Sequence, residues 1–193
     1  MSSEQFGPSA LMTPANLVTI SRLLLTMPFL GMVVADGASW SAVSFWIALC
    51  ITDGIDGNLA RRMGTTRSGA FLDPLADKVL VLGAMFTLVR YDVFWIVPVL
   101  IITAREVVIS VYRTVAGRHG VSVPAKQLAK AKTLCQQSAV GLALAPLTAG
   151  VSWLYNSFLW AATVLTVVTG AQYLMAARRA GRAGPAPGII AAP

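Results

Sequence analysis

The chain has 193 residues, of which 56% are hydrophobic and only 12% charged, and its mean hydropathy is +0.69. A soluble domain carries about 25% charged residues, so this composition excludes an ordinary soluble globule and points to an integral membrane protein. The net charge of +7 does not imply nucleic-acid binding, because the basic residues are scattered along an apolar chain; it fits topology signals and contact with anionic lipid headgroups.

Residues 1–13 read as an N-terminal segment, either a loop or a short interfacial helix. Apolar runs of about 20 residues, the length that crosses a bilayer, can then be placed six times, over 16–35, 41–60, 69–89, 93–113, 130–149 and 153–176. The expected architecture is all-α: a six-helix transmembrane domain over 14–178, then a Pro/Gly/Ala-rich tail over 179–193 expected to be disordered. Arg61, Arg62 and Arg67 surround the second connection; Arg113, Arg118, Lys126, Lys130 and Lys132 surround the fourth; Arg178, Arg179 and Arg182 follow the last span. The opposite loops carry only Arg90. By the positive-inside rule both termini and these two connections face the cytoplasm, which requires an even number of spans. The first apolar run has no basic region before it and contains Arg22, unlike a cleaved signal peptide. Cys50 and Cys135 follow no disulfide or zinc spacing. Trp40, Trp95 and Trp153 fall near the outer ends of spans, as an interfacial aromatic belt does.

The acidic residues carry the chemistry. Asp53, Asp56, Asp73 and Asp77 lie within or beside the second and third apolar runs. An aspartate at the centre of a membrane helix costs roughly 2.5–3.5 kcal/mol on insertion scales, so four within 25 residues need a compensating partner. Asp53 and Asp56 are spaced i, i+3 and Asp73 and Asp77 i, i+4, so each pair can share one face of its helix. Two such pairs form an oxygen-rich cage suited to hard divalent cations, Mg²⁺ or Mn²⁺. Two ions there would attract a diphosphate and stabilise attacking and leaving oxygens in a displacement at phosphorus. Gly57 and Ala60 let a substrate approach the backbone, and Arg61 offers a planar donor fork for phosphate. Asp-Gly is also a turn signal, so the DGIDG run (53–57) has a turn as its competing reading.

The string D-x2-D-G-x2-A-R followed by G-x3-D-x3-D resembles the signature of the CDP-alcohol phosphatidyltransferase family. Its eight residues are Asp53, Asp56, Gly57, Ala60, Arg61, Gly69, Asp73 and Asp77. Seven residues separate Arg61 from Gly69, slightly fewer than the family usually has; the shortening bears on the turn and leaves the spacings within each helix intact. PANLVTISR resembles the family's N-terminal element, giving Asn16, Thr19 and Arg22, while FLDPLADKVL, TAREVVISVYR and AKAKT are most similar to the branch that makes phosphatidylglycerophosphate. Ala129 stands where that branch commonly has glycine.

The resemblance implies a metal-dependent transferase of phospholipid biosynthesis in the cell (inner) membrane, with its active site facing the cytoplasm. Asp53, Asp56, Asp73 and Asp77 would hold two divalent cations, and Asp77 would act as general base. Asn16, Thr19, Gly57, Ala60, Arg61, Thr66 and Gly69 would hold CDP-diacylglycerol. Partners would be that donor, the acceptor, membrane lipids and a second copy of the chain in a homodimer, with no nucleic acid.

Charge alone suggests the acceptor. Arg105 sits inside the fourth apolar run, Arg113 two turns later, and Lys130 and Lys132 open the fifth. Cations on the same half as an acidic cage fit an anionic head group, and sn-glycerol 3-phosphate meets that demand. Alternatives with the same chemistry are a cardiolipin synthase using phosphatidylglycerol and an enzyme using an inositol phosphate; a cation-coupled transporter is the alternative of another class. Bland readings stand beside these: Arg22 as a topology anchor, Lys78 as structural, His119 as solvated, Arg105 as snorkelling or paired near Glu106, and the closing span as generic.

Overall fold

The computed structural model describes residues 14–63, 69–118 and 127–182, all of them in helices or short connections between helices. The helices are α1 (Pro14–Asp36), α2 (Trp40–Met63), α3 (Gly69–Arg90), α4 (Ile96–Arg118), α5 (Gln127–Leu144) and α6 (Ser152–Arg182). No strand occurs among the described residues. The all-α expectation therefore holds. Among the described residues two helices are long and apolar enough to cross a membrane, over Thr19–Asp36 and Ser152–Tyr173.

Local chemistry sets the boundaries. Gly37 adopts φ +60° and its N–H returns to the carbonyl of Val33 at 3.0 Å, ending α1 as a glycine in the left-handed region does. Ser39 Oγ accepts the Ala42 N–H at 3.2 Å and so caps α2. Helix α5 stops at Leu144, short of the expected 149, because Pro146 follows and the residue before a proline avoids the helical region. Helix α6 continues through Arg182, past the end of the sixth apolar run at 176, across a stretch rich in Ala and Arg, which are strong helix formers.

Helix α1 lies against both α3 and α2, α6 lies against α5 and α4, and lesser contacts join α2 to α5 and α3 to α4 and α5. Phe29 of α1 stacks on Trp46 of α2, with centroids 5.5 Å apart. The Trp46 indole N–H donates to the Gln137 carbonyl of α5 at 3.1 Å. Small residues permit these approaches: a Cβ at Gly141 would meet the Trp46 ring at 3.4 Å, and one at Gly83 would meet Leu30 at 3.2 Å. In lipid, apolar burial gains little over lipid contact, so close packing of this kind carries association. Thr26, Thr87, Thr103, Ser110 and Thr163 each donate a hydroxyl to the carbonyl four residues earlier, which satisfies them within their own helices.

The bundle has two unlike ends. An apolar depression lined by Val33, Gly37, Leu88, Tyr91, Ala149 and Tyr155 gathers the α1–α2, α3–α4 and α5–α6 connections. Trp40, Trp95 and Trp153 stand beside these connections, 59%, 68% and 70% exposed. Such exposure of the largest apolar side chains suits an interfacial belt. Described charged residues that pair across helices lie in the opposite half.

Candidate active site

Helix α2 is unbroken from Trp40 to Met63, so Asp53 through Gly57 are helical and the turn reading of that run is overturned. Asp53 and Asp56 therefore keep the i, i+3 relation of a helix face. Helix α3 starts at Gly69 and includes Asp73 and Asp77 one turn apart. Backbone periodicity thus matches the expected pairing within each helix. The side chains of Asn16, Asp53, Asp56, Ala60, Arg61, Asp73 and Arg113, the surroundings of Gly57 and Gly69, and all of Thr66 lie outside the described residues. With three of the four aspartates outside, no group of three potential metal ligands is drawn among the described residues. The donor set itself fits hard cations: four carboxylates at helical spacing on two successive helices.

Asp77 is the described member of the set. Its Oδ1 accepts from Arg22 Nη1 at 2.6 Å, and the two side chains are 42% and 1% exposed. Arg22 is thus a core residue of α1 bound to the acidic helix, and the anchor reading does not describe it. A charge this deep requires a paired, hydrogen-bonded partner. Thr19, one turn earlier on α1, is also buried.

A second polar cluster joins α4, α5 and α6. Glu106 Oε1 accepts from both Arg105 Nη1, at 3.1 Å, and Lys132 Nζ. Arg105, Glu106 and Lys132 side chains are each less than 15% exposed. Lys132 is therefore buried in the bundle, whereas Lys130 on the same helix is exposed. Lys78, the residue after Asp77, is close enough for its charge to act on both Glu106 and Lys132. Its neighbourhood is this cluster, which the structural reading of Lys78 did not anticipate. Arg105 also donates through Nη2 to Thr169 Oγ1 of α6 at 3.1 Å, and its guanidinium carbon lies 5.8 Å from the Tyr173 ring centroid. The pairing of Arg105 near Glu106 is thus found, but sequence reasoning missed Glu106 as the shared partner of Lys132, and it missed the α6 residues. The only signal for Glu106 was an acid beside Arg105 in an apolar run; Thr169 and Tyr173 gave none.

An all-helical bundle with two long apolar helices, acidic residues paired in sequence on two successive helices and a buried Arg105–Glu106–Lys132 cluster fits a membrane protein. The sequence profile described as CDP-alcohol phosphatidyltransferase matches residues 12–168. A probable phosphatidylglycerophosphate synthase of Mycobacterium tuberculosis strain H37Rv is 38% identical over 180 residues, covering 90% of this chain and 85% of that protein. CDP-diacylglycerol–glycerol-3-phosphate 3-phosphatidyltransferases of Escherichia coli K12 and Shigella flexneri serotype 5b are each 37% identical over 171 residues, covering 84% of this chain and 93% of those proteins. The chain belongs to the CDP-alcohol phosphatidyltransferase family and is an enzyme of that class. That membership sets aside the transporter alternative.

Proposed function

We propose that this enzyme transfers the phosphatidyl group of CDP-diacylglycerol to sn-glycerol 3-phosphate, giving phosphatidylglycerophosphate and CMP. The observation that carries the choice of acceptor is the Arg105–Glu106–Lys132 cluster, in which two buried cations share one carboxylate and Lys78 lies nearby. The surplus positive charge, held away from bulk water, suits a phosphate monoester. A neutral alcohol would leave it uncompensated. The names of the relatives agree with this reading.

Asp53, Asp56, Asp73 and Asp77 would hold two divalent cations, Mg²⁺ or Mn²⁺. When bound, these supply charge neutralisation for the diphosphate and for the oxygens at the reacting phosphorus. Asn16, Thr19, Gly57, Ala60, Arg61, Thr66 and Gly69 would hold the CDP-diacylglycerol donor. Arg105, Arg113, Lys130 and Lys132 would hold the acceptor phosphate. Asp77 takes the proton of the acceptor hydroxyl, the new oxygen–phosphorus bond forms, and the bond to CMP breaks. A carboxylate is a weak base toward an alcohol, so orientation carries much of the barrier reduction. Arg22 keeps Asp77 turned toward the α1–α3 seam.

We further read the six helices as six spans with both termini and the active site at the cytoplasmic face of the cell membrane, and the assembly as a homodimer. The basic residues around 61–67 and 113–132 support that orientation. The test incubates purified protein with CDP-diacylglycerol, Mg²⁺ or Mn²⁺ and a panel of acceptors, and measures CMP. Glycerol 3-phosphate should release it; phosphatidylglycerol, inositol phosphate and uncharged alcohols should not. Chelation should abolish turnover and added cation restore it. Release with phosphatidylglycerol or inositol phosphate alone would overturn the assignment.

A further inference from the structure

Arg105 is held chiefly by α6, a helix whose sequence carries no recognisable motif. One turn of it surrounds the guanidinium. Thr169 Oγ1 donates to the Leu165 carbonyl at 2.7 Å and lies 3.1 Å from that of Thr166, which turns its remaining acceptor capacity toward Arg105 Nη2. The Tyr173 ring lies beside the cation. Gly170 leaves room for the stem: a Cβ there would come to 3.3 Å from Arg105 Cγ and 3.7 Å from Nε. With Nη1 on Glu106 and Nη2 on Thr169, Nε is a buried donor with no hydrogen-bond partner among the described residues. A buried donor left unmade is costly, so its presence next to surplus positive charge calls for an anionic ligand. These three α6 residues lie beyond the 12–168 stretch that the family profile covers.

We propose that the α6 turn Thr169–Gly170–Tyr173 is a positioning element for the acceptor phosphate, fixing Arg105 so that its Nε–H is left without a protein acceptor and can be claimed by a phosphate oxygen on binding. This rests on the reading that Arg105 binds the acceptor. Thr169 sets the rotation of the guanidinium plane, Gly170 makes room for the Arg105 stem beside Nε, and Tyr173 covers one face of the cation. None of the three touches the reacting atoms.

The test uses the purified full chain, with CMP release measured against glycerol 3-phosphate and, separately, against CDP-diacylglycerol, and melting in detergent as a check on folding. Thr169→Val should raise the acceptor KM about tenfold while kcat and the donor KM stay within about twofold. Thr169→Ser, which keeps the acceptor oxygen, should remain near wild type. Gly170→Ala should shift the acceptor KM in the same direction as Thr169→Val, and Tyr173→Phe, which keeps the ring, should not shift it. An unchanged acceptor KM in Thr169→Val, or equal impairment in Thr169→Ser, overturns the proposal. So does a parallel fall in kcat, both affinities and melting temperature, which marks a structural role only. Arg105→Ala separates the two levels. If it leaves the acceptor KM unchanged, the reading of Arg105 itself fails; if it raises KM while Thr169→Val does not, only the α6 seat fails.

Discussion

Asp77 pairs with Arg22 and is also the proposed base, so two substitutions there should separate the roles. Asp77→Asn keeps an oxygen able to accept from Arg22 Nη1, now at 2.6 Å from Oδ1, whereas Asp77→Ala removes it. A hydrogen bond to a charged group contributes about 1.5–3 kcal/mol. The Asp77 side chain is 42% exposed, so solvent screening reduces the expected difference between the variants to roughly 1 kcal/mol. For a chain of this size that corresponds to a melting difference of about 2–4 °C. Both variants should lose CMP release, because neither carries a base. The assay is CMP release under saturating donor, acceptor and Mg²⁺, paired with thermal unfolding in one detergent. Asp77→Asn turning over at the wild-type rate would refute the base assignment. Identical melting of the two variants would refute the stabilising part of the argument while leaving the catalytic part intact.

Three other expectations follow from the cationic cluster and the core. Lys132→Ala should raise the glycerol 3-phosphate KM by about tenfold or more with little change in the CDP-diacylglycerol KM, measured by CMP release. Glu106→Gln leaves Arg105 and Lys132 facing each other without a counter-charge. It should cost about 2 kcal/mol, less than the 3–5 of a fully broken buried pair because the amide oxygen still accepts. Thermal unfolding of Glu106→Gln should accordingly show a loss that inorganic phosphate reverses more strongly than in the wild type. Trp46→Phe removes the donor to the Gln137 carbonyl and should lower stability by about 1 kcal/mol, leaving both KM values unchanged.

The helices were legible because each is announced by a long apolar run, and the acidic pairs because their spacing is periodic in a helix. Boundaries were less so. Pro146 shortens α5, and the Ala/Arg stretch lengthens α6 past the last apolar residue. Partnerships across the bundle were not legible at all. Arg22 meets Asp77 across 55 positions, Arg105 meets Thr169 across 64 and Lys132 meets Glu106 across 26. In a helix apolar on every side, no hydrophobic stripe announces which way a lone polar residue turns. Membrane helices are of this kind, so Arg22 reads equally well as an anchor or a core residue until its neighbour is known. The same ambiguity hid Thr169 and Tyr173.

The two unlike ends of the bundle have a consequence for the bilayer itself. Under the proposed orientation, the charged pairings between helices among the described residues lie in the half nearest the cytoplasm, while the other end carries the exposed tryptophans and an apolar hollow, with Asp36, Arg90 and Asp92 exposed at its rim. A lipid built here keeps its new headgroup in the leaflet from which its precursor came. Stocking the opposite leaflet must then fall to a separate protein that turns lipids over, and growth of the membrane begins asymmetrically.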